Sequence, residues 1–512
     1  MIITAGEQRI IEARAVEKGM SLVQLMETAG RCIFAHVSGR YETRDSAITV
    51  LCGSGGNGGD GFVAARLLKQ GGARPLVVLC SGTPRANAPA QMYKLLISEG
   101  VPIVDMVLEW DRVKSSIMDS ALIVDAVYGI GFRGELNGDM SRLFRVVNES
   151  RAAVVSADMP SGVNADTGVA AKNAVAADET VCFIAKKPAN VLKSSKQYCG
   201  KSLLYDIGIP RECYSDGVGR LREIDCAAAA KILSPRPDTG HKGDFGKLLM
   251  AVGSDRFRGA AVLAALGAYG AGAGLVTVAS GEKTLAAVAA SVPEAVLLDH
   301  EHNAGEYHEA LARSSACLVG CGITVTSETK AFFEETVSRA SCPMVIDADG
   351  LNILAADEAL FEKIKSDVVL TPHIGEFARL TGLSAGEILD DRIRCALAYA
   401  KLRQVILVLK SDNTVVAFPD GLAYINTAGN SGLAKAGSGD LLSGVIAALL
   451  AMGKTAKGAA LAGVWLHSLA ADMAAKSRDR HSLTAGYIAG FISDAYRETF
   501  AGQPSLDDVE LN

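Results

Sequence analysis

The chain has 512 residues, which is long for a single hydrophobic core and predicts two or more domains. Its net charge at pH 7 is -6, and its lysines and arginines are scattered, which argues against the basic surface that a nucleic acid or an anionic membrane requires. The 11 cysteines include no CxxC pair, so the sequence supports neither a disulfide framework nor a zinc site.

The first residues, MIITAGEQRIIEARAVEKGMS, lack the basic head and continuous apolar segment of a signal peptide. No uninterrupted apolar run is long enough to span a bilayer. We therefore expect a cytoplasmic protein without a membrane or nucleic-acid partner, acting on small metabolites.

Residues 1–212 alternate helical and strand patterns in the way that predicts parallel βαβ units, and we expect a Rossmann-like three-layer α/β domain. The opening helix is predicted to start at Ser21, which fits a capping box with Gln24. One apolar face of this helix is predicted to contain Leu22, Leu25, Met26 and Ala29. Five near-continuous apolar runs are typical of strands buried on both faces: 47–52, 75–80, 121–127, 152–158 and 180–185.

A glycine-rich segment, GSGGNGGDGF at 53–62, follows the first predicted strand. Its glycines match the GxGxxG spacing of a dinucleotide-binding turn. Such a fold expects an acidic residue near the end of the next strand, however, and the stretch PLVVLCSGTPRANAPAQ contains none. The backbone amides of the segment are still suited to hold a phosphate at the N-terminus of the next helix, FVAARLLKQ.

Two further predicted strands end in polar segments, DAVYGIGFRGEL at 125–136 and DMPSGVNADTG at 158–168. A single aspartate after a strand is as often a helix cap or turn former as a functional group. Because functional groups of open α/β sheets gather beyond the carboxyl ends of the strands, we expect these segments to converge. Asn57, Asp125 and Ser161 then offer oxygen ligands without sulfur or imidazole, which suits a hard cation and not zinc.

The region 213–239 is dense in proline and glycine, which predicts a linker and domain junction. Residues 240–503 then resume the alternation of strands and helices and predict a second, larger α/β domain. Its strand-like runs are KLLMAVG, GLVTVAS, ACLVGCG, PMVIDADG, DVVLTPH and VILVLK. This domain contains no GxxxxGK[ST] phosphate loop, so nucleotide binding there requires another design.

The segment LAKAGSGDLLSGVIAALL at 433–450 offers that design. The turn 436–439 is predicted to expose successive N–H groups at the start of a helix over 441–452, where the helix dipole favours phosphoryl oxygens. Asp440 is placed to accept a proton from a substrate hydroxyl as that oxygen attacks a terminal phosphate. The simpler alternative is that Asp440 only caps the helix.

The first half resembles the NAD(P)H-hydrate epimerase domain over essentially its whole length, through LMETAG, NGGDG, DAVYGIGFRGE and DMPSGV. The resemblance implies that Asp158 contacts the altered nicotinamide ring and that Asn57, Asp125 and Ser161 hold a potassium ion. The substrate-binding residues that it implies are Gly56, Asn57, Gly58, Gly59, Asp60, Gly129, Ile130, Gly131, Phe132, Arg133, Gly134, Glu135 and Asp158. Gly56 stands where that family usually has an asparagine.

The second half resembles the ribokinase-like superfamily and, within it, the ADP- or ATP-dependent NAD(P)H-hydrate dehydratase. The segment 240–280 and the motifs VIDADGLNIL, LTPHIGEFARL, VLKSDNT and AGSGDLLSG carry this likeness in order. Taken alone, His373 would more often be a structural histidine. The resemblance implies that Ala261, Gly322, His373 and Asp440 line the hydrated nucleotide. It also implies that the adenine nucleotide is bound by Lys410, Ser411, Asp412, Asn413, Thr414 and Gly439.

Together the two likenesses imply a chain that repairs the hydrates of NADH and NADPH, called NADHX and NADPHX. The first domain would interconvert their R and S forms through an iminium-like ring, with Asp158 stabilising the cation or relaying a proton. The second would phosphorylate the ring hydroxyl of the S form, with Asp440 as base, before phosphate leaves and NAD(P)H is restored. ADP with Mg²⁺ is the expected phosphoryl donor, K⁺ the expected ion of the epimerase site, and the family implies a homo-oligomer.

Two alternatives stay open on the sequence. True kinases of vitamins or sugar alcohols share the AGxGD apparatus, and the first domain would then be an accessory binding module. Epimerase-like domains also occur as non-catalytic binding modules in RNA-processing or lipid-handling proteins. The intact NGGDG and DMPSG segments argue against that second alternative.

Overall fold

A computed structural model of the chain describes residues 1–84, 87–215 and 217–501. These residues form two compact α/β units, Met1–Leu221 and a second unit from Arg222 on. The expected pair of α/β domains is confirmed, and the strand order of the first sheet is Rossmann-like. Within the described residues, no helix combines the length and apolar character needed to cross a membrane.

The first unit is built on a parallel sheet whose strands are β1 (Ala47–Cys52), β2 (Arg74–Leu79), β3 (Ile103–Asp105), β4 (Leu122–Ala126), β5 (Ala153–Ala157), β6 (Glu179–Phe183) and β7 (Lys201–Tyr205). The strand order is β3-β2-β1-β4-β5-β6-β7, and all neighbours pair in parallel. Its helices are α1 (Ala5–Glu17), α2 (Leu22–Arg40), α3 (Gly56–Gln70), α4 (Asn87–Ser98), α5 (Trp110–Asp119), α6 (Gly138–Glu149), α7 (Pro188–Val191) and α8 (Lys196–Cys199). Val50 and Leu51 enter separate apolar cores, which shows that helices cover both faces of the sheet.

The strands of the second sheet are β8 (Leu221–Ile224), β9 (Lys247–Ala251), β10 (Leu275–Ser280), β11 (Val296–Asp299), β12 (Ala316–Val319), β13 (Met344–Ile346), β14 (Val368–Leu370), β15 (Ile406–Leu409), β16 (Val415–Ala417) and β17 (Ala423–Asn426). Their order is β11-β10-β9-β12-β13-β14-β15-β16-β17-β8. Strands from β11 to β15 pair in parallel, whereas β16 pairs antiparallel with both β15 and β17. This antiparallel extension was not predicted, because its strands are only three or four residues long and carry little sequence signal.

The helices of the second unit are α9 (Cys226–Ile232), α10 (Arg258–Gly270), α11 (Glu282–Ser291), α12 (Ala304–Arg313), α13 (Ser327–Arg339), α14 (Asp349–Ala356), α15 (Ile374–Thr381), α16 (Ala385–Asp390), α17 (Arg392–Arg403), α18 (Ser438–Ala451), α19 (Ala456–Ala474), α20 (Ala485–Ala489) and α21 (Ile492–Ala501). The predicted linker 213–239 therefore contains a strand and a helix, β8 and α9. The boundary between the two units falls inside the same region.

The N-terminal helices differ from the sequence-based prediction in two respects. Helix α2 has the predicted Ser21–Gln24 capping box, but Leu22 on its predicted apolar face is 51% exposed. It is also not the opening helix, because α1 precedes it with a capping box between Thr4 and Glu7. The buried stripe of α1 includes the polar residue Gln8, so its apolar periodicity is weak.

Both glycine-rich segments are wound into helices earlier than predicted. Helix α3 begins at Gly56 and α18 at Ser438, so each segment forms the first turn of its helix and not a preceding loop. In α18 the backbone approaches α10 closely, since a Cβ on Gly444 would overlap the carbonyl oxygen of Ala264. This close packing fixes the position of the first turn of α18.

We expect Gly444→Ala to destabilise the second unit, because the added methyl group has no space between α10 and α18. The expected loss is about 1–3 kcal/mol in the free energy of unfolding, measured by thermal or urea denaturation of the full chain. Gly305→Ala is the matched control, because a Cβ there meets no atom within 4 Å and α12 gains helix propensity. Equal stability of the two variants would contradict the packing argument.

Candidate active sites

The first unit contains a cavity of about 860 Å³, beside the carboxyl ends of β1, β4 and β5. This volume lies in the range of about 300–1,000 Å³ that is usual for small-molecule sites. The predicted residues that line the cavity are Gly56, Asn57, Asp60, Gly129, Ile130, Gly131, Phe132 and Asp158. Gly58 and Gly59 are buried in α3, whereas Arg133, Gly134 and Glu135 are exposed and do not belong to the lining.

The first turn of α3 rests directly on the sheet because it is rich in glycine. A Cβ on Gly58 would overlap the carbonyl oxygen of Gly53, and one on Gly61 would lie 2.8 Å from the Cβ of Ala126. Larger residues at these positions would push the helix away from the strand ends. The N-terminus of α3, with Asn57, thereby becomes part of the cavity wall, where backbone N–H groups favour an anion.

Asp158 follows β5 with a φ of +60°, a left-handed conformation that strains a residue other than glycine. Its Oδ1 accepts hydrogen bonds from the Lys187 ammonium and from the backbone N–H of Phe183 at 3.2 Å. Its Oδ2 accepts a hydrogen bond from Nε2 of Gln8 at 3.2 Å. Lys187 is fully buried and also donates to the Phe183 carbonyl at 3.0 Å. These contacts hold the carboxylate in one orientation at the cavity.

Two more carboxyl groups, of Glu12 and Asp60, line the same cavity. Nε2 of Gln8 donates to Oε1 of Glu12 at 2.9 Å, so one amide bridges Glu12 and Asp158. Burial raises the pKa of Glu12 by more than the hydrogen bond from Gln8 lowers it, and the charge of Asp158 raises the pKa further. Burial, with the charges of Asp158 and Glu12, raises the pKa of Asp60 well above its usual range.

Asp125 and Ser161, two of the predicted cation ligands, are in direct contact. Oδ1 of Asp125 accepts from Oγ of Ser161 at 2.6 Å, and its Oδ2 accepts from Oγ of Ser156 and the N–H of Ser161, both at 2.8 Å. These hydrogen bonds lower the pKa of Asp125, but burial raises it by more. Among the described residues, no cationic side chain pairs with Asp125. Asn57, in the first turn of α3, has its Oδ1 3.2 Å from the position of a Cβ on Gly129, which lies in the loop after β4. A buried carboxylate beside serine hydroxyl groups, without a cationic partner among the described residues, fits a hard cation.

The second unit presents Asp440 in the first turn of α18. The helix begins at Ser438 with Gly437 as its N-cap, so Asp440 is the third helical residue and the cap-only alternative is wrong. Burial raises the pKa of Asp440 to about 6, and the charge of Asp347 contributes. Oγ of Ser438 contacts Nε2 of His467 at 3.3 Å, and burial lowers the pKa of His467 to about 4, which leaves this histidine neutral at pH 7.

Asp347, which directly follows β13, is 1% exposed and pairs with Lys410. Its Oδ1 accepts from the Lys410 ammonium at 2.8 Å, and its Oδ2 accepts from Oγ of Ser443 at 2.7 Å. Burial alone would raise the pKa of Asp347, but the charge of Lys410 brings it below its usual value. The ammonium lies 3.1 Å from the position of a Cβ on Gly439. A lysine therefore faces the first turn of α18.

The other residues predicted to line the hydrated nucleotide lie beyond neighbouring strand ends. His373 caps α15, and its Nδ1 accepts from the N–H groups of Gly375 at 2.9 Å and Glu376 at 3.3 Å. Ala261 is buried in the first turns of α10, and Gly322 lies after β12 with a φ of +66°. The main contact of His373 is therefore structural, although more than half of its side chain is exposed.

The predicted nucleotide-binding residues 411–414 form the tight turn between β15 and β16. Oγ of Ser411 donates to the carbonyl of Asn413 at 2.7 Å, and Arg392 pairs with Asp412. The Asn413 side chain is buried and donates to the carbonyl of Asn426 at 2.9 Å. The carbonyl of Thr414 accepts from the N–H of Asn426 at 2.9 Å. These contacts give the turn a fixed shape.

Among the described residues, one group of side chains of metal-ligating type gathers: Cys321, Asp347 and Asp440, with ligand atoms within 4.8 Å of one another. Asp347 is already paired with Lys410, and a thiol does not suit Mg²⁺. This group therefore does not form a magnesium site of its own.

Five residues of the two sites were not predicted from the sequence: Gln8, Glu12, Lys187, Asp347 and Ser443. Asp347 could have been found, because it directly follows a buried strand just as Asp125 and Asp158 do. Lys187 and Gln8 carry no such signal. Their roles depend on contacts with Asp158 across 29 and 150 residues of chain.

Comparisons with known proteins agree with this arrangement. Residues 22–189 match the family model described as YjeF-related protein N-terminus, and residues 248–493 match the model described as NAD(P)H-hydrate dehydratase. The bifunctional NAD(P)H-hydrate repair enzyme of Moorella thermoacetica is 35% identical over 514 residues, covering 96% of each chain. That of Escherichia coli is 34% identical over 459 residues, covering 89% of this chain and 86% of the relative.

A solved structure extends the likeness of the second unit. The ADP/ATP-dependent NAD(P)H-hydrate dehydratase of Bacillus subtilis, co-crystallised with ATP and Mg²⁺, has a TM-score of 0.50 and is 31% identical. The match covers 54% of this chain and 98% of that one. Both family models and near-complete coverage of the relatives thus agree, and the chain belongs to the family of bifunctional NAD(P)H-hydrate repair enzymes.

Proposed function

We propose that this chain returns both epimers of NADHX and NADPHX to NAD(P)H, with epimerisation in the first unit and ADP-driven dehydration in the second. The observation that carries the proposal is the placement of Asp440. Its carboxyl group lies in the first turn of α18, beside Lys410 and the N–H groups of a helix N-terminus. A base and an anion-binding surface are therefore adjacent, as phosphoryl transfer to an alcohol requires.

In the first unit, the hydrated ring would lie against Asp158. Loss of the protonated ring hydroxyl as water leaves a positive charge shared with the ring nitrogen, and addition of water to the other face with release of a proton gives the other epimer. The Asp158 carboxylate is fixed in orientation by Lys187 and Gln8 and is placed to stabilise that charge. The N-terminus of α3 supplies N–H groups for a phosphate of the nucleotide.

In the second unit, Asp440 would remove the proton of the ring hydroxyl as the hydroxyl oxygen attacks the terminal phosphorus of ADP, and AMP departs with the electron pair of the broken P–O bond. The N–H groups of the first turn of α18 and the Lys410 ammonium would stabilise the transferring phosphoryl group. The C–O bond then breaks, phosphate leaves with the electron pair, and loss of a ring proton restores NAD(P)H. Phosphorylation makes this possible because phosphate is a much better leaving group than hydroxide.

The turn 411–414 would contact the adenine nucleotide mainly through its backbone, because the side chains of Asp412 and Asn413 are held by other residues.

ADP is our proposed donor, as expected for a chain that fuses both domains. Mg²⁺ would be held by the phosphates and water, since the nearby group around Asp347 does not suit it, and when bound it neutralises phosphate charge. A homo-oligomeric state remains a prediction.

Asn57, Asp125 and Ser161 are the residues that would hold K⁺ in the first unit. The ion would compensate the buried charge of Asp125 and hold the loop after β4 against the residues that follow β5. Because Tyr128 donates its N–H to Oγ of Ser161 at 2.8 Å, this bond links the ion site to the cavity wall.

The full chain, supplied with both epimers of NADHX, ADP, Mg²⁺ and K⁺, is expected to return all of the substrate to NADH, followed by absorbance. Asp440→Asn should lower dehydration by about 10²–10⁴-fold because the base is lost, while epimerisation in the other unit continues. Asp479→Asn, at an exposed acidic residue, is the control. A stable phosphorylated product without free phosphate would instead favour the alternative, a small-molecule kinase.

Dehydration should also lose rate as the pH falls through about 6, because Asp440 must be ionised to act as a base. Asp347→Asn removes a negative charge that raises the pKa of Asp440 and leaves the positive charge of Lys410 unpaired. We therefore expect the acidic limb of kcat/KM for the S epimer to move to lower pH. An unmoved limb, or one at higher pH, would exclude Asp440 as the titrating base.

Potassium should raise the melting temperature of the protein relative to tetramethylammonium at equal ionic strength, since an ion bound only to the folded state stabilises it. Asp125→Asn is expected to abolish this difference, because it removes the charge that the ion compensates. Asp111→Asn, at an exposed position of α5, should retain the difference. Equal potassium dependence in both variants would rule out the proposed cation site.

A further inference from the structure

The cavity of the first unit contains a carboxyl group that the steps above do not use. Glu12 lines this cavity, and so does Gln8 one helical turn earlier. Both belong to α1, which precedes the matched residues 22–189 of the first family model. The segment ahead of the matched domain therefore contributes two side chains to its site.

Gln8 occupies an unusual position between two carboxyl groups. It is 4% exposed, and its Nε2 donates both to Oδ2 of Asp158 at 3.2 Å and to Oε1 of Glu12 at 2.9 Å. Its carbonyl oxygen, Oε1, is buried and has no hydrogen-bond partner among the described residues. A buried acceptor is seldom left unsatisfied, so a ligand with an N–H or O–H donor is the natural partner.

The two bridged carboxyl groups differ in charge environment. Asp158 is paired with the buried Lys187 ammonium, whereas Glu12 has no ion pair among the described residues and receives a hydrogen bond only from the neutral Gln8. The charged groups around Glu12 are Asp158, which disfavours its ionised form, and Lys187 and Arg9, which favour it. Asp60 lies on the same cavity. Glu12 is thus a carboxyl group without an ion pair in the described part of the chain that is tied by Gln8 to a fixed anion, which suits it to carry a proton.

We propose that Glu12 is a further catalytic residue of the epimerase site, acting as general acid and then general base toward the ring hydroxyl. Gln8 is a positioning residue that ties Glu12 to Asp158. This inference rests on the epimerase activity proposed above.

The step balances without any further reagent. The O–H bond of protonated Glu12 breaks as its proton passes to the ring hydroxyl, the C–O bond breaks with its electron pair on oxygen, and water departs. The nitrogen lone pair forms the C=N bond of the iminium. Water then adds from the other face, the C=N pair returns to nitrogen, and the proton released by the water returns to the Glu12 carboxylate, directly or through another water.

The test follows conversion of the purified S epimer of NADHX to the R epimer by the full chain without ADP, so that dehydration does not occur. Glu12→Gln is expected to lower the enzymatic rate by about 100-fold or more, after subtraction of the uncatalysed rate. Glu17→Gln, at an exposed glutamate of the same helix, is the matched control and should keep the rate. Dehydration of the S epimer with ADP should be unchanged in both variants.

The pH profile separates catalysis from a structural role. The rate of the unaltered protein should fall as the pH rises and Glu12 loses its proton. This limb should be absent in Glu12→Gln and retained at reduced rate in Glu12→Asp. If Glu12→Gln does not fold, the role of Glu12 is tested with Gln8→Leu and Glu12→Asp, because both variants should lower kcat for epimerisation.

Two results distinguish failure of this inference from failure of the proposed function. No interconversion by the unaltered protein would overturn the epimerase activity itself. The role of Glu12 alone would be overturned if the unaltered protein interconverts the epimers and Glu12→Gln does so with the same rate and the same pH limb. The same holds if both Gln8→Leu and Glu12→Asp match the unaltered protein.

Discussion

Each candidate site depends on a buried lysine–aspartate pair placed just beyond the carboxyl end of a parallel strand: Asp158 with Lys187, and Asp347 with Lys410. Removing two ions from water costs several kcal/mol per ion, so such pairs are stable only when further hydrogen bonds complete them. The Phe183 backbone completes the first pair and Ser443 the second. In both units the pair lies near another carboxyl group, Glu12 or Asp440, whose pKa is raised.

This shared design has a common physical cause. A fixed anion in a poorly solvated pocket makes a neighbouring carboxyl group harder to ionise, which brings its pKa closer to neutral pH. In the second unit the charge of Lys410 also lowers the pKa of Asp347, which keeps that aspartate ionised. The two units share no motif that would indicate a repeat, so this similarity does not come from a duplicated segment of chain.

Close backbone packing connects the fold to these sites. Gly58 and Gly61 let α3 lie on its sheet, and Gly444 lets α18 lie on α10. In each case the helix N-terminus reaches the strand ends, where the aspartates lie. The glycine-rich segments therefore act mainly by allowing close approach, and their N–H groups come to the site as part of a helix.

The sequence predicted the parallel sheets and the polar strand ends, because buried strands and the residues that follow them have local signatures. It did not predict α1, whose buried face contains Gln8, or the partner of Asp158, because Lys187 is brought to it only by the fold. The prediction of a linker over 213–239 is likewise incomplete. The region is rich in proline and glycine, but β8 and α9 form within it.

The position of β8 limits how the protein can be divided. This strand covers β17 at one edge of the second sheet, and Ile224 within it is buried in the core. A separately expressed second half beginning at residue 240 would lack the strand and leave the backbone groups of β17 unpaired. Such an exposed edge invites pairing with other chains, so an isolated dehydratase half needs the residues from Leu221 onward to remain monodisperse.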